Sequence, residues 1–395
     1  MTDKRTYQPY VALILSTLAF AFCFAIWGLI APLAPSFRDA LQLSATEVGL
    51  LVAVPVILGS LARIPMGLLT DRYGGVKVFT ALMVFLLLPL GLSFLATSYF
   101  GLLFLGFWLG LAGSSFAIGV PYVSRWFPPH RQGLALGVYG MGNIGTALAA
   151  TVAPEVAKEA PWYAAFWLFM IPLLVLIVLF WVAAPREAID PARRSSLAGL
   201  LEILRDEPMS WLLSLLYFVT FGGFVATSIF LPTLLVDLYD MEHDDAGEVA
   251  AAFVIMATLA RPVGGWLSDR HGGAVVLLGV LVAVVALATA LATQPFFLGI
   301  LAIFLILGIS LGLGNGAVFK LVPQFFPART GTVTGLVGAA GGLGGFFPPI
   351  VLGLVRDTTG SYAIAFLLLA LFASACLVLN YRILVHGGGA ATGEG

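Results

Sequence analysis

LARIPMGLLTDRYGG (residues 61–75) and LARPVGGWLSDRHGG (residues 259–273) are two copies of one pattern in a chain of 395 residues. In each copy an arginine, Arg63 or Arg261, is followed eight residues later by an aspartate and then by paired glycines. The two arginines are 198 residues apart, and both stand inside long apolar stretches. The sequence is therefore a duplication that places one arginine in each half.

The composition is that of an integral membrane protein. Hydrophobic residues make up 60% of the chain and charged residues 10%, with a mean hydropathy of +1.04. A soluble domain is about 45–50% apolar and about 25% charged. A spanning helix needs roughly 20 mostly apolar residues, and cutting the chain at its charges and turn residues gives twelve such segments. Cys23 and Cys376 support neither a disulfide framework nor a metal cluster.

We predict an all-α membrane protein with twelve transmembrane helices in two pseudo-symmetric six-helix bundles. The N-terminal bundle covers residues 1–185, and a charged cytoplasmic linker covers residues 186–208. The C-terminal bundle covers residues 209–382, and residues 383–395 form a Gly-rich tail that we expect to be disordered. Because each half has an even number of helices, the halves are expected to be parallel repeats about an axis along the membrane normal.

The distribution of lysine and arginine predicts the orientation. With the N-terminus inside, thirteen of these residues lie on the cytoplasmic side and three, Arg38, Lys158 and Arg356, lie outside. The positive-inside rule then places both termini in the cytoplasm, in a multi-pass protein of the cytoplasmic (inner) membrane. We expect the partners to be the lipid bilayer and a small inorganic anion, with no nucleic acid and no cofactor, and the chain to be a monomer.

Three basic side chains and no acidic ones fall inside the predicted helices: Arg63, Arg261 and Lys320. An arginine in the membrane interior costs about 2.5–3.5 kcal/mol on insertion scales. Arg63 lies about 12 Å from the cytoplasmic helix end at 1.5 Å per residue, and Arg261 has the same spacing. Two such cations at matching depth indicate an anion-binding site. The structural alternative is that each arginine only binds helix carbonyls.

Lys320 lies nearer the cytoplasmic end, seven residues before Pro327. A lysine stem can carry its ammonium to the interface, which favours snorkelling or a contact in a gate. The alternative is proton coupling, because a desolvated lysine can lose its proton near neutral pH.

Two predicted helices, the fifth and the eleventh, are rich in glycine. Small residues let membrane helices approach closely, and they also allow sliding and bending. We therefore assign a conformational role to Gly137, Gly140, Gly142, Gly145, Gly335, Gly338, Gly342 and Gly345. Close packing does not explain Asn143, an amide within the fifth helix that could donate to an anion.

The two glycine-rich helices, with an arginine in helices two and eight, resemble those of the nitrate/nitrite porter (NarK-like) family of the major facilitator superfamily. The resemblance implies that Arg63 and Arg261 clamp a nitrogen oxyanion, to which Asn143 and Tyr217 donate. It also implies that aromatic rings sandwich the plane of the anion: Phe24, Phe116 and Phe221. Four residues of the repeated loops match the superfamily gating motif: Asp71, Arg72, Asp269 and Arg270.

A guanidinium fork suits a flat, delocalised oxyanion. Two arginines about 7 Å apart would repel by roughly 2–3 kcal/mol at an effective dielectric near 20, and a bound anion would relieve this repulsion. A carrier that changes conformation only when loaded is an exchanger, so we expect nitrate/nitrite antiport by alternating access. The alternatives are nitrate–proton symport, transport of another small anion, and an anion sensor, which would need an output domain. An enzyme is not expected, because no nucleophile–base pair lies at membrane depth.

Overall fold

The computed structural model describes residues 4–188 and 196–386. No strand occurs in that part of the chain, and twelve of its helices are long and apolar enough to cross a membrane. The prediction of an all-α protein with twelve spans is confirmed. Spans 1–12 are, in chain order, Tyr7–Leu41, Thr46–Tyr73, Gly75–Leu95, Tyr99–Ser124, Pro129–Glu159, Tyr163–Ala183, Pro208–Tyr239, Asp245–His271, Gly273–Ala292, Phe297–Phe325, Thr330–Arg356 and Ala363–His386.

Several spans are interrupted by a break, a 3₁₀ turn or a π turn. Span 1 consists of helices Lys4–Trp27 and Ile30–Leu41, and span 2 of Ala45–Leu61 and Arg63–Tyr73. The other interrupted spans are span 3 (Gly75–Gly91 and 3₁₀ turn Ser93–Leu95), span 4 (Tyr99–Gly110, 3₁₀ turn Leu111–Ser114, Ser115–Ser124), span 5 (Pro129–Gly140, 3₁₀ turn Met141–Ile144, Gly145–Glu159), span 7 (Pro208–Tyr217, π turn Phe218–Gly222, Gly223–Tyr239) and span 12 (Ala363–Leu379, π turn Asn380–His386). The remaining helices are Tyr163–Ala183, Leu197–Asp206, His243–His271, Gly273–Ala292, Phe297–Phe325 and Thr330–Thr359.

The paired glycines of the repeat form the turns that end spans 2 and 8. Gly74 has φ +87° and Gly272 has φ +85°. This backbone conformation is unfavourable for residues with a Cβ and open to glycine, so each first glycine stops one helix and lets the next begin. The duplicated pattern is thus the same helix–turn–helix element twice.

The chain forms two compact units. Unit 1 comprises Met1–Pro128, Val138–Arg205 and Phe326–Ala339, and unit 2 comprises Pro129–Gly137, Asp206–Phe325 and Ala340–Gly395. Each unit thus includes one short segment from the opposite half of the sequence. The assignment of residues 1–185 and 209–382 to separate six-helix bundles stays a prediction.

The structure has a helix within the predicted linker and a π turn that includes the first residues of the predicted tail. Within the predicted linker, Leu197–Asp206 forms a helix, in which Ile203 is buried. Residues 383–386, predicted as tail, belong to the π turn Asn380–His386, because Ile383, Leu384 and Val385 continue the apolar character of the last span. Residues 189–195 and 387–395 lie outside the described part of the chain, so the prediction of disorder for the latter stays a prediction.

Candidate functional site

Arg63 is buried in unit 1, where its guanidinium binds two backbone carbonyls. Only 3% of Arg63 is exposed. Its Nε donates to the Gly113 carbonyl oxygen at 3.2 Å, and its Nη1 donates to the Gly338 carbonyl oxygen at 2.7 Å. Gly113 lies in the 3₁₀ turn of span 4, where the regular pattern of helical hydrogen bonds is interrupted. These contacts are the ones expected if Arg63 had only a structural role, in which it binds helix carbonyls. They also fix the direction of the guanidinium group.

An aromatic cluster lies beside Arg63. The guanidinium carbon Cζ is 5.9 Å from the centroid of the Phe116 ring. The ring centroid of Phe116 is 5.4 Å from that of Phe20 and 5.8 Å from that of Tyr139, on which Phe116 stacks. The Phe20 and Phe24 ring centroids are 4.4 Å apart. Of the two phenylalanines predicted in this half, Phe116 therefore contacts the arginine, and Phe24 is linked to Phe116 through Phe20.

Asn143 lies in the 3₁₀ turn of span 5 and is 3% exposed. Its side-chain oxygen Oδ1 is buried and has no hydrogen-bond partner within the described residues. A buried amide oxygen without a partner is unfavourable by about 1–3 kcal/mol. The structure therefore places an unsatisfied polar group at the position that the sequence singled out, without joining it to Arg63.

Arg261 is buried in unit 2 and is held by a tyrosine. It is 2% exposed, and its Nη2 donates to the Tyr217 hydroxyl oxygen at 3.3 Å. Its Cζ lies 5.6 Å from the centroid of the Phe221 ring. The three residues predicted as a site in this half, Arg261, Tyr217 and Phe221, are thus brought together.

The π turn of span 7 accompanies this arrangement. Tyr217 directly precedes the π turn Phe218–Gly222, and Phe221 lies within it. Their rings are stacked, with centroids 4.9 Å apart and an interplanar angle of 7°. Phe319 of span 10 packs edge-on against Tyr217 at 4.6 Å. Single π turns within α-helices occur mostly at functional sites. Hydropathy alone gives no signal for such a turn, and Phe319 was not among the predicted residues.

The same helix crossing recurs in both units at the arginines. A Cβ added to Gly335 would lie 2.4 Å from the Arg63 carbonyl oxygen, and one added to Gly137 would lie 2.5 Å from the Arg261 carbonyl oxygen. Any side chain larger than hydrogen would force these helices apart. Gly335 and Gly137 thus pack closely against another helix, and the conformational role assigned to the glycines stays a prediction.

The aspartates of the repeat bind the starts of two glycine-rich helices. Asp71 accepts from the Gly331 N–H at 3.0 Å and from the Thr332 N–H at 2.8 Å, and it also accepts from the Thr332 hydroxyl at 3.0 Å. Asp269 accepts from the Gly133 N–H at 2.9 Å and from the Leu134 N–H at 2.8 Å. A carboxylate at a helix N-terminus satisfies open N–H groups and interacts favourably with the helix dipole.

Each of these aspartates also pairs with a cation. Arg125 binds Asp71 at 3.0 Å, and Lys320 binds Asp269 at 2.9 Å. Lys320 additionally donates to the Pro129 carbonyl oxygen, and its side chain is 10% exposed. The Lys320–Asp269 pair therefore binds the Pro129 carbonyl and the Gly133 N–H, two groups that pair with each other in a regular helix.

The arginines next to the aspartates behave differently. Arg72 and Arg270 are exposed. The Cζ of Arg72 lies 5.3 Å from the Tyr73 ring centroid, and that of Arg270 lies 4.1 Å from the Trp266 ring centroid. The buried acid is thus the residue that binds a second helix. Arg125 was not among the predicted site residues, because its partner Asp71 is distant in the chain and only the fold brings them together.

Comparisons with known proteins agree with this architecture. The sequence matches the Major Facilitator Superfamily over residues 16–349 and 237–387. It is 38% identical over 376 residues to the nitrite extrusion protein of Bacillus subtilis, and the match covers 94% of each chain. It is 40% identical over 381 residues to the "Probable nitrate/nitrite transporter NarK2" of Mycobacterium tuberculosis, covering 94% of this chain and 95% of the relative.

Two further similarities are informative. The chain is 34% identical over 405 residues to the "Probable nitrate/nitrite antiporter NarK1" of Thermus thermophilus, covering 94% of this chain and 91% of the relative. The crystal structure of the Escherichia coli fucose:proton symporter FucP aligns with a TM-score of 0.77 at 16% identity, over 95% of this chain and 99% of the symporter. The latter similarity concerns the fold alone.

The fold and these matches define an integral membrane transporter of the Major Facilitator Superfamily. Within that superfamily, the chain belongs to the nitrate/nitrite porter family, the family of its curated relatives.

Proposed function

We propose that this protein transports nitrate and nitrite across the cytoplasmic membrane by alternating access, as an antiporter. One observation carries the proposal: each unit buries an arginine whose guanidinium lies over a phenylalanine ring, at 5.9 Å for Arg63 and 5.6 Å for Arg261. A guanidinium fork suits a flat, delocalised oxyanion, and an aromatic ring offers a flat surface that can lie against its plane. Each arginine is proposed to bind the anion during the cycle.

The other predicted site residues have defined roles in this proposal. Asn143 donates from its amide to an oxygen of the anion, and Tyr217 orients Arg261 and binds the anion. Phe116 and Phe221 lie against the plane of the anion, and Phe24 supports Phe116 through Phe20. The burial of Asn143 in the 3₁₀ turn of span 5 and the Arg261–Tyr217 hydrogen bond support these assignments.

The substrate class is supported by the names of the relatives, which mention nitrite extrusion, nitrate/nitrite transport and nitrate/nitrite antiport. We propose the same substrates here, with no enzymatic activity, no cofactor and a monomeric carrier. The excess of lysine and arginine on one side supports cytoplasmic termini.

The gate is proposed to lie at the cytoplasmic ends of spans 2 and 8. Asp71 and Asp269 bind the starts of spans 11 and 5 in one state and release them in the other. Arg125 and Lys320 act as their counter-ions, and Arg72 and Arg270 act at the exposed surface. The glycines of spans 5 and 11 are proposed to allow the helices to move.

Exchange follows from the charge of the proposed site. A bound anion offsets the buried positive charge of Arg63 or Arg261, so the loaded carrier changes conformation more readily than the empty one. The pairing of Lys320 with Asp269 supports a role in the gate and does not call for a role in proton transfer.

Uptake of labelled nitrate into proteoliposomes tests this proposal. We expect uptake into vesicles loaded with nitrite and little uptake into vesicles loaded with chloride. Vesicles without internal nitrite but with an acidic exterior are the control for symport. Acceleration by the pH gradient would replace antiport with nitrate–proton symport, and no uptake under any condition would reject nitrate transport.

A further inference from the structure

Asn315 is a buried amide in span 10 that none of the proposed roles uses. It is 3% exposed, and its Oδ1 is buried without a hydrogen-bond partner among the residues that the structure describes. The same holds for the Oδ1 of Asn143 in unit 1 and of Asn380 in unit 2. Asn315 Nδ2 also forms no hydrogen bond within the described part of the chain, although buried polar groups are nearly always hydrogen-bonded. An anion cannot donate to the amide oxygen, but it can accept from the amide N–H groups, so Asn315 offers a donor to an anion.

Contacts on either side of Asn315 locate it beside the Arg261 site. One turn earlier, Leu311 lies 3.5 Å from the position of a Cβ added to Gly223 of span 7. One turn later, Phe319 contacts the ring of Tyr217 at 4.6 Å. Residues four apart share one face of a helix, so Asn315 faces span 7 between these two contacts. The next residue, Gly316, packs against span 8, because a Cβ added to it would lie 2.3 Å from the Arg261 carbonyl oxygen.

The chain neighbour Gly314 gives the level of Asn315 on span 7, because its added Cβ would lie 2.6 Å from Cγ2 of Thr220, the residue before Phe221. Because Gly223 and Tyr217 bound the stretch of span 7 that Asn315 faces, the residues between them are its nearest neighbours along that helix. Phe221 is one of these residues, and the Arg261 guanidinium carbon Cζ lies 5.6 Å from the centroid of its ring. The amide therefore lies in unit 2 within the part of the fold that holds the cation.

We propose that Asn315 is a further anion-binding residue, whose amide N–H donates to an oxygen of the anion held by Arg261. A carboxamide carries two N–H donors, and because no protein donor fixes its oxygen, rotation about χ2 can turn the N–H groups toward the anion. The inference rests on the proposed nitrate/nitrite transport and adds one donor to it. Each unit then contributes an arginine, a phenylalanine ring and an asparagine.

Asn315→Leu tests this role, because leucine has nearly the same size and no polar atom. The full-length variant is purified, and the Kd for nitrate and for nitrite is measured by calorimetry. A hydrogen bond to a charged group corresponds to about a 10- to 100-fold change in affinity, so a loss of at least about tenfold is expected for at least one anion. The thermal midpoint of the unliganded protein should stay the same or rise, because an unsatisfied polar group is removed.

Asn380→Leu is the matched control. Asn380 is also buried in unit 2 with an unpartnered Oδ1, but its Nδ2 already donates to the Ala274 carbonyl oxygen at 3.0 Å. This change should lower the thermal midpoint and leave anion affinity unchanged. Asn315→Asp is a second variant of unchanged shape, whose carboxylate can only accept hydrogen bonds and should weaken anion binding further.

The outcomes separate this inference from the proposed function. If the wild type binds neither anion, the proposed function itself fails. If the wild type binds and Asn315→Leu binds equally well, the role of Asn315 is rejected and the proposed function stands. A lower thermal midpoint in Asn315→Leu with unchanged affinity would make Asn315 a structural residue. If Asn315→Leu does not fold, unchanged affinity in Asn315→Asp rejects the inference in the same way.

Discussion

At the scale of single residues, the notable feature is a buried cation in each unit with a different kind of support. Arg63 is held by the carbonyls of Gly113 and Gly338, and Arg261 is held by the hydroxyl of Tyr217. A charge in the membrane interior is unfavourable unless polar groups or a ligand surround it. Both arrangements fix the direction of the guanidinium, which a binding site for a small anion requires.

Tyr217→Phe tests the support of Arg261. The change removes the hydroxyl that accepts from Arg261 and retains the ring that stacks on Phe221. We expect anion affinity to fall by about tenfold or more, because a hydrogen bond to a charged group is lost. Tyr362→Phe removes a hydroxyl that donates to Asp237 at 2.6 Å, away from the arginine, and should leave affinity unchanged. Equal affinities in the wild type and Tyr217→Phe, measured by calorimetry, would contradict the assignment.

The sequence was informative about individual residues where their context was unusual. Arg63 and Arg261 stood out because they are cations in apolar stretches. Arg125 and Asn315 did not stand out, for different reasons. Arg125 is an ordinary cation near a helix end until the fold brings Asp71 to it, and the position of Asn315 depends on how spans 7 and 10 pack. Side-chain partners distant in sequence are a property of tertiary structure.

At the scale of helices, three of the five irregular turns in the described part of the chain hold residues that belong to the candidate site or bind it. The 3₁₀ turn of span 4 contains Gly113, that of span 5 contains Asn143, and the π turn of span 7 contains Phe221. Hydropathy predicts where a span begins and ends, because burial in lipid requires apolar side chains. It does not predict such turns, because their backbone hydrogen bonds leave no period in the sequence.

Gly335→Ala tests the close crossing of spans 2 and 11. The new methyl group would meet the Arg63 carbonyl oxygen at 2.4 Å, so the helices must separate. Overpacking of this kind lowers the free energy of unfolding by about 1–3 kcal/mol, and we expect a lower thermal midpoint. Gly279→Ala in span 9 is the matched control, because nothing lies within 4 Å of its added Cβ. An equal midpoint in both variants would contradict the crossing.

Lys320→Met tests the ion pair at the start of span 5. Removing one partner of a buried pair leaves the other charge uncompensated and destabilises a protein by about 3–5 kcal/mol. Lys158→Met is the control, because Lys158 pairs with Glu155 on the surface, where such pairs contribute about 0–1 kcal/mol. We expect a lower thermal midpoint for Lys320→Met alone. Unchanged stability together with a loss of pH-driven nitrate uptake would instead support proton coupling through Lys320.

At the scale of the whole molecule, the duplication explains the paired contacts. Asp71 binds Gly331 in unit 1, and Asp269 binds Gly133 in unit 2. The two aspartates are 198 residues apart in the sequence, and so are the two glycines. The offset could be read from the sequence, and it predicted the equivalent depth of the arginines. It did not predict that each aspartate binds a helix from the opposite half, because a repeat gives correspondence and not contact.

The orientation of the molecule can be tested with C-terminal fusions. If the excess of lysine and arginine lies in the cytoplasm, the C-terminus lies there too. We expect a C-terminal fluorescent protein to be bright and a C-terminal alkaline phosphatase to be inactive. The same reporters placed in the connection of residues 240–242, between spans 7 and 8, provide the opposite control. An active phosphatase at the C-terminus would reverse the proposed topology.

The most direct measurement of the central claim is the binding of nitrate and nitrite to the wild type, Arg63→Lys and Arg261→Lys. Lysine keeps the positive charge and loses the planar fork with its two parallel N–H groups. If both arginines bind the anion, each variant should lose affinity by about tenfold or more. Affinity equal to that of the wild type in both variants would contradict the claim.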